Sequence, residues 1–452
     1  MKHCALILAA GKGTRMHSSK PKVLQTVLEC PMLTLVERAL HPFFAEDSYA
    51  LVGFGQDQVR QIFPEERTIE QTEQLGTGHA LGCALPLLLE KGYDRVLVVN
   101  GDAPLLTTTL VESFLEKSKG TQLAFATSLL DDPASYGRVI REGGNVKAIV
   151  EAKDYSPAVH GDNAHEINVG LYDIDLSLAH ALLPKVQKNP LSGEFYITDL
   201  VALSLEAGYS VEGVPLGQDD RLLGVNSPLE LVHMEEVLRR EIIHALLEKG
   251  VLLHAPDLIR ISPLAEIEAG CEITGPCEIY GQSHIHTGAR IDSHCVIRHS
   301  DIASGAQIRS FSHLDGAIVE ANALVGPYAR LRPGAHLEEE SHVGNFVELK
   351  KARLGKGAKA NHLTYLGDAI IGGGTNIGAG TITCNYDGKN KHQTIIGEKA
   401  FIGSNTALVA PVTVGASALI GAGSTITHDV PEQSLSVARA KQKNYPQRIV
   451  LA

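Results

Sequence analysis

A six-residue beat constrains this chain more than any other feature. Isoleucine recurs as Ile267, Ile273, Ile279, Ile285, Ile291 and Ile297, and four places after each of the first five stands a small residue: Cys271, Cys277, Ser283, Ala289, Cys295. The beat returns as Val325, Leu331, Leu337, Val343, Leu349, and again from Ile396 to Ile426. A period of six is neither helical nor simple strand alternation. It suits a chain wound round a triangular prism, one short strand per face, with the branched residue inside and the small one easing the corner. Three hexads make a coil, so residues 255 to 430 predict about ten coils, a prism on the order of 50 Å long at strand spacing. The expected element is a parallel β-helix.

The remaining chain needs a core of its own, because 452 residues exceed what one hydrophobic core normally organises. Residues 1–226 alternate apolar runs with helical patterns, and Ala5–Ala10, Tyr49–Phe54, Arg95–Val99 and Leu123–Ser128 read as strands of an α/β layer. At Ser227-Pro-Leu-Glu a natural N-cap, a proline at the first helical position and a capping-box glutamate start a helix. It should run over 227–250, stopping at Gly250, as a spacer roughly 33 Å long. Residues 251–452 then hold the prism and a tail that gathers Arg439, Lys441, Lys443 and Arg448.

The net charge of -12 argues against nucleic acid or an anionic membrane as partner, so a polyanionic substrate must be held by local basic clusters. The seven cysteines are odd in number and scattered without a Cys-x-x-Cys pair, as in a reducing compartment. The short apolar run after Met1 leads straight into Gly11 and reads as a first strand rather than a signal peptide. No apolar run is long enough to span a bilayer. A soluble, cytoplasmic protein is expected.

Two places carry chemistry. Gly11-Lys-Gly-Thr-Arg15 follows the first strand, where glycines let backbone N–H groups converge on a phosphate and a following helix would present its positive end. It lacks both the third glycine of a dinucleotide fingerprint and the Gly-Lys-Ser/Thr of a Walker loop. Arg15, Lys20 and Lys22 stand close by; the bland alternative is a tight turn with solvated basic residues. The strand ending in Asn100-Gly-Asp102 puts a carboxylate at a strand's C-terminal edge, where α/β folds bind ligands and where Mg²⁺ is held with few protein ligands. The second place is where the hexad fails, between Leu349 and Ile371 and between Ile377 and Ile396. The later gap contains Cys384-Asn-Tyr-Asp-Gly-Lys-Asn-Lys-His, polar and turn-rich, hence a loop thrown off the prism. Arg330, Arg332, Lys350, Lys351, Asn361, His362 and Tyr365 around the gaps suggest a phosphorylated substrate and a general base. Glu348 is a candidate to orient His362. With 20 histidines in the chain, a solvated surface imidazole is the plain alternative.

Leu8-Ala-Ala-Gly-Lys-Gly-Thr-Arg-Met, Lys20-Pro-Lys-Val-Leu, Gln71-Thr-Glu-Gln-Leu-Gly-Thr-Gly-His and Asn100-Gly-Asp resemble sugar-1-phosphate nucleotidyltransferases. With the prism, and with Val343-Gly-Asn-Phe-Val-Glu-Leu-Lys-Lys and Asn361-His-Leu-Thr-Tyr-Leu-Gly-Asp, the whole chain resembles the bacterial bifunctional N-acetylglucosamine-1-phosphate uridyltransferases/glucosamine-1-phosphate acetyltransferases. The resemblance implies a Rossmann-like first domain joined to a left-handed β-helix, contrary to the usual crossover hand. It implies a homotrimer, with the acetyl-transfer site between subunits. It implies that Leu8, Ala9, Ala10, Gly11, Lys22, Gln71, Gly76, Thr77, Asn100 and Asp102 cradle UTP, with Arg15 and Lys22 neutralising charge in the reaction. Asp102 and Asn226 would be the Mg²⁺ ligands, while Gly137, Glu151, Asn168 and Asn226 would hold N-acetylglucosamine-1-phosphate. On the prism, His362 would be the base. Arg332, Lys350, Tyr365 and Asn376 would bind glucosamine-1-phosphate, and Ala379, Asn385, Tyr386, Ser404, Ala422 and Arg439 would contact acetyl-CoA. Two positions depart from the family: Val169 follows Asn168 where threonine is usual, and Val27-Leu-Glu-Cys-Pro lacks a usual glycine, which reads as a surface change. A different reading keeps one activity, a sugar-1-phosphate nucleotidyltransferase whose prism only assembles subunits.

Overall fold

The computed structural model describes residues 2–133, 135–161, 165–218 and 220–446; Arg448 of the basic tail lies outside them. Contacts divide the chain into two compact units, Met1–Leu238 and Arg239–Ala452. The division falls inside the helix Pro228–Lys249. That helix starts where the capping residues place it: Ser227 Oγ accepts from Glu230 N at 3.3 Å, and the Glu230 carboxylate accepts from Ser227 Oγ at 3.0 Å and from Asn226 N at 2.7 Å.

The first unit is built on a mixed sheet. His3–Leu8 lies between the parallel strands Ser48–Val52 and Arg95–Asn100. The long strand Glu166–Asp175 then runs antiparallel between Arg95–Asn100 and Leu123–Leu129. Burial on both faces explains the continuous apolar runs of the central strands. The first strand ends at Leu8, two residues short of the expected Ala10. Ala9 stays buried, its N–H donating to Leu51 O at 2.9 Å, while the chain turns into the glycine loop. No α-helix follows that loop. A single 3₁₀ turn, Thr14–Met16, comes next, and the first α-helix begins at Met32. The Gly11 loop therefore gains no dipole from a helix directly after it; the helix N-terminus that lines the cleft is that of Thr77–Glu90, from a separate segment.

The second unit is the prism. Three parallel sheets of 11, 10 and 9 strands each pair a strand with the one three strands later, one coil apart. Every isoleucine of the opening hexads is fully buried, and the corner residues Cys271, Cys277, Ser283, Ala289 and Cys295 are at most 1% exposed. Coils stack closely enough that a Cβ on Gly403 would sit 2.5 Å from Ala422 N. The two gaps in the hexad differ. Through the first, the coil continues with Leu349, Leu354, Ala360, Leu366 and Ile371 inside. It was hidden because two sides shorten to five residues and alanine replaces a branched residue at one. The second gap is a true excursion: the loop after Cys384 closes through a Tyr386–Lys391 bridge before the wall resumes at Thr394.

Candidate active sites

In the first unit, the ends of His3–Leu8 and Arg95–Asn100 open into a cleft with two lobes of about 490 and 200 Å³. Leu8, Thr77, Asn100, Asp102, Glu151 and Asn226 line both. Ala10, Gly11, Lys22, Gln71 and Gly76 line the larger; Arg15, Gly137 and Asn168 line the smaller. Lys20 and Ala9 stand outside the lining. The loops are tied across the cleft: Gln71 Nε2 donates to Gly76 O at 3.1 Å, and Thr77 Oγ1 accepts from Ile197 N at 3.0 Å.

Asp102 is the electrostatic centre. Lys22 Nζ is ion-paired to Asp102 Oδ2 and donates to Asn226 Oδ1 at 3.0 Å. The other carboxylate oxygen, Asp102 Oδ1, is buried without a partner. Two oxygen donors already gathered round one cation, with a third buried oxygen unsatisfied, fit the oxygen chemistry of a hard divalent ion. In the smaller lobe, Asn168 Nδ2 donates to the Tyr172 hydroxyl at 2.6 Å and Asn168 Oδ1 accepts from Gly170 N at 3.1 Å. Burial pushes the Glu151 carboxyl up, against a 2.9 Å hydrogen bond from Thr198 Oγ1. Val169 lines this lobe beside Asn168, so the departure from the family falls inside the cleft. Tyr136, Tyr172, Thr198 and Glu194 also line it. Sequence reasoning missed them because they come from separate segments with no shared motif. The other departure, Val27-Leu-Glu-Cys-Pro, is only partly at the surface: Leu28 is 1% exposed and its N–H is bonded to Glu235 at 2.9 Å.

On the prism, His362 and Asn345 are register partners on adjacent coils, and His362 Nδ1 lies 2.7 Å from Asn345 Oδ1. Asn345, one coil earlier, thus takes the orienting place expected of Glu348. Glu348 instead accepts from Arg332 Nη1 at 3.0 Å, with Arg330 at 3.9 Å. The spacing of 17 positions between Asn345 and His362 is the signal that would have found it. Round the corner, on the neighbouring face, Glu348 pairs in register with Tyr365 and Lys350 with Gly367. The Lys350 ammonium is held below its usual range first by the adjacent Lys391, then by burial and Arg332. Lys391, from the excursion loop, was not singled out in the sequence. Lys350, Lys391 and Arg332 thus gather positive charge in one place, offset by Glu348 on Arg332 and by Asp368 near Lys350. The loop is braced by Asp387, which accepts from Asn390 N and Lys389 N at 2.6 and 2.7 Å and is drawn down to about 2.

Ala379, Ser404, Ala422 and Arg439 fall on successive coils along one edge. Ala379 O accepts from Asn405 N, Ser404 O from Gly423 N, and Ala422 O from Arg439 Nη1, each at 2.8 Å. The same edge runs back to His362, since Gly380 N donates to Leu363 O. Asn376 sits one coil beyond Lys359 on the His362 sheet. Tyr386 stands 60% exposed on the loop, whereas Asn385 is buried and its amide donates to Asp368.

Known families match both units. The MobA-like NTP transferase domain matches residues 5–141, and the bacterial transferase hexapeptide of six repeats matches 393–428. A bifunctional protein GlmU of Nitratidesulfovibrio vulgaris (strain DP4) is 57% identical over 446 residues, covering 98% of both chains. One from Lawsonia intracellularis is 50% identical with the same coverage. One from Acinetobacter baumannii (strain AYE) is 43% identical, over 98% of this chain and 97% of its own.

Proposed function

This chain belongs to the bifunctional GlmU family, and from that premise we propose how its residues divide two reactions. The prism transfers acetyl from acetyl-CoA to glucosamine-1-phosphate. The α/β unit then transfers uridylyl from UTP to N-acetylglucosamine-1-phosphate and releases pyrophosphate. The observation that carries the assignment is His362 oriented by Asn345, with Lys350, Lys391 and Arg332 gathered on the neighbouring face of the same prism, a device that a subunit-assembling scaffold has no use for.

In the acetyl transfer, the Asn345 carbonyl oxygen can only accept, so the His362 N–H sits on Nδ1 and Nε2 keeps its lone pair. Nε2 takes the proton from the sugar amine as that amine attacks the thioester carbonyl; the C–S bond then breaks, and CoA leaves as its thiol with the proton returned to sulfur. Arg332, Lys350 and Lys391 neutralise the sugar phosphate, with Tyr365 and Asn376 beside it. Acetyl-CoA lies along the edge of Ala379, Ser404 and Ala422, and Arg439 and Tyr386 receive its polar end. The exposed stack of Phe311, Tyr328 and Phe346, with ring centroids 4.8 and 5.3 Å apart, supports covering of this edge by further copies in a homotrimer.

In the uridylyl transfer, Asp102 and Asn226 would hold Mg²⁺, which supplies charge neutralisation at the phosphates of UTP. Lys22, which pairs with Asp102, would with Arg15 direct its charge to the phosphates. Leu8, Ala10, Gly11, Gln71, Gly76 and Thr77 hold the nucleotide in the larger lobe. In the smaller, Gly137, Glu151 and Asn168 hold the sugar. The seven cysteines, all free, suit the cytoplasm; among the described residues no helix is long and apolar enough to cross a membrane.

Replacing His362 with alanine is the test. Acetyl transfer should fall about 10²–10⁴-fold while uridylyl transfer is unchanged. Survival of acetyl transfer at wild-type rate would remove the base from this account.

A further inference from the structure

Outside both active sites, one group of side chains has no part in either reaction. Glu268, His284 and His286 project from the first coils of the prism. Among the described residues they are the one set of three or more His, Cys, Asp or Glu donors near enough to share an ion, all within 4.8 Å of one another. Glu268 Oε1 lies 3.2 Å from His284 Nε2 and 3.0 Å from His286 Nδ1, and the ring centroids are 3.8 Å apart. Around a tetrahedral metal with bonds of about 2.0–2.1 Å, donors stand roughly 3.3–3.4 Å apart. Small side-chain adjustments would therefore make room for an ion.

The surroundings are those of a metal site as well as of an ion-pair ladder. A ligating histidine normally gives its other ring N–H to a carboxylate, and His286 Nε2 lies 3.1 Å from Asp301 Oδ1. The second oxygen of Glu268 is fixed by the Thr287 N–H at 2.8 Å. His286 thus faces a carboxylate at each ring nitrogen, yet a neutral imidazole has one N–H to give. Either a second ring proton or a cation between Glu268 and Nδ1 satisfies both contacts at once, and a zinc titration separates the two. The fold makes the arrangement: the His-x-His alternation sends both rings to the outer face of one strand, and the carboxylates come from the coils on either side.

We propose that Glu268, His284 and His286 bind a borderline divalent transition metal of the Zn²⁺ class, with Asp301 positioning His286, as a clip across three successive coils. Two imidazoles with a carboxylate favour zinc over magnesium.

Zinc chloride titrated calorimetrically into the full chain, with magnesium in excess to fill oxygen sites, tests this. One more zinc equivalent should bind to the wild type than to the double variant His284→Gln/His286→Gln, with circular dichroism and acetyl transfer, the prism's own activity, verifying that the variant prism folds. Asp301→Asn should keep that equivalent and weaken it about 10–100-fold. Equal zinc stoichiometry in wild type and double variant would overturn the proposal. If the double variant does not fold, unchanged zinc affinity in Asp301→Asn would overturn it instead.

Discussion

Single residues in this chain are held to tight tolerances where two segments meet. Gly170 adopts φ +80°, and a Cβ there would lie 2.0 Å from Asn100 Nδ2. Gly170→Ala should therefore displace Asn100, in the wall of the cleft, and lower uridylyl transfer at least tenfold while acetyl transfer holds; paired assays on one preparation check it. Glu29 shows the converse. With Leu28 it forms a two-residue hairpin turn at φ +50° and +61°, the region that favours glycine. At this scale the sequence was informative only through motifs. Asp102 and His362 stood in recognisable strings, but Asn345 and Lys391 became visible only when coil stacking and the excursion loop set them beside their partners.

At the scale of elements, the antiparallel strand Glu166–Asp175 stitches the sheet through a buried ion pair. Arg95 Nη2 lies 2.8 Å from Asp173 Oδ2, and His3 Nε2 lies 3.2 Å from Oδ1. Burial pushes the Asp173 carboxyl up, but the bonds from His3 and Arg95 outweigh it and hold the group below its ordinary 3.8. A carboxyl whose folded value is depressed adds stability above the unfolded value and loses it as the pH falls toward the folded one. Asp173→Asn should then cost about 2–4 kcal/mol at neutral pH, with the gap to wild type narrowing below about pH 4. Denaturation curves across that range measure it. Patterning named four of the nine strands of this sheet and missed this antiparallel insertion, because burial on both faces erases the alternation that marks a strand. The helix Pro228–Lys249, by contrast, was legible at both ends from its capping residues.

At the scale of the molecule, two cores are separate in the contacts of the chain. A chain ending at residue 250 should keep uridylyl transfer from UTP to N-acetylglucosamine-1-phosphate within a few-fold and lose acetyl transfer entirely; loss of both with the first unit folded would count against independent domains. The amino-acid sequence by itself determined the prism and its number of coils, since a period of six admits few ways to bury one residue in each hexad. It also determined the first unit's class. Tertiary structure alone decided that the first gap in the beat stays in the wall, that Asn345 rather than Glu348 steadies His362, and that Lys22 rests on Asp102. Each of these depends on which side chains the coils and strands bring within a few ångströms, and distance along the chain carries no record of that.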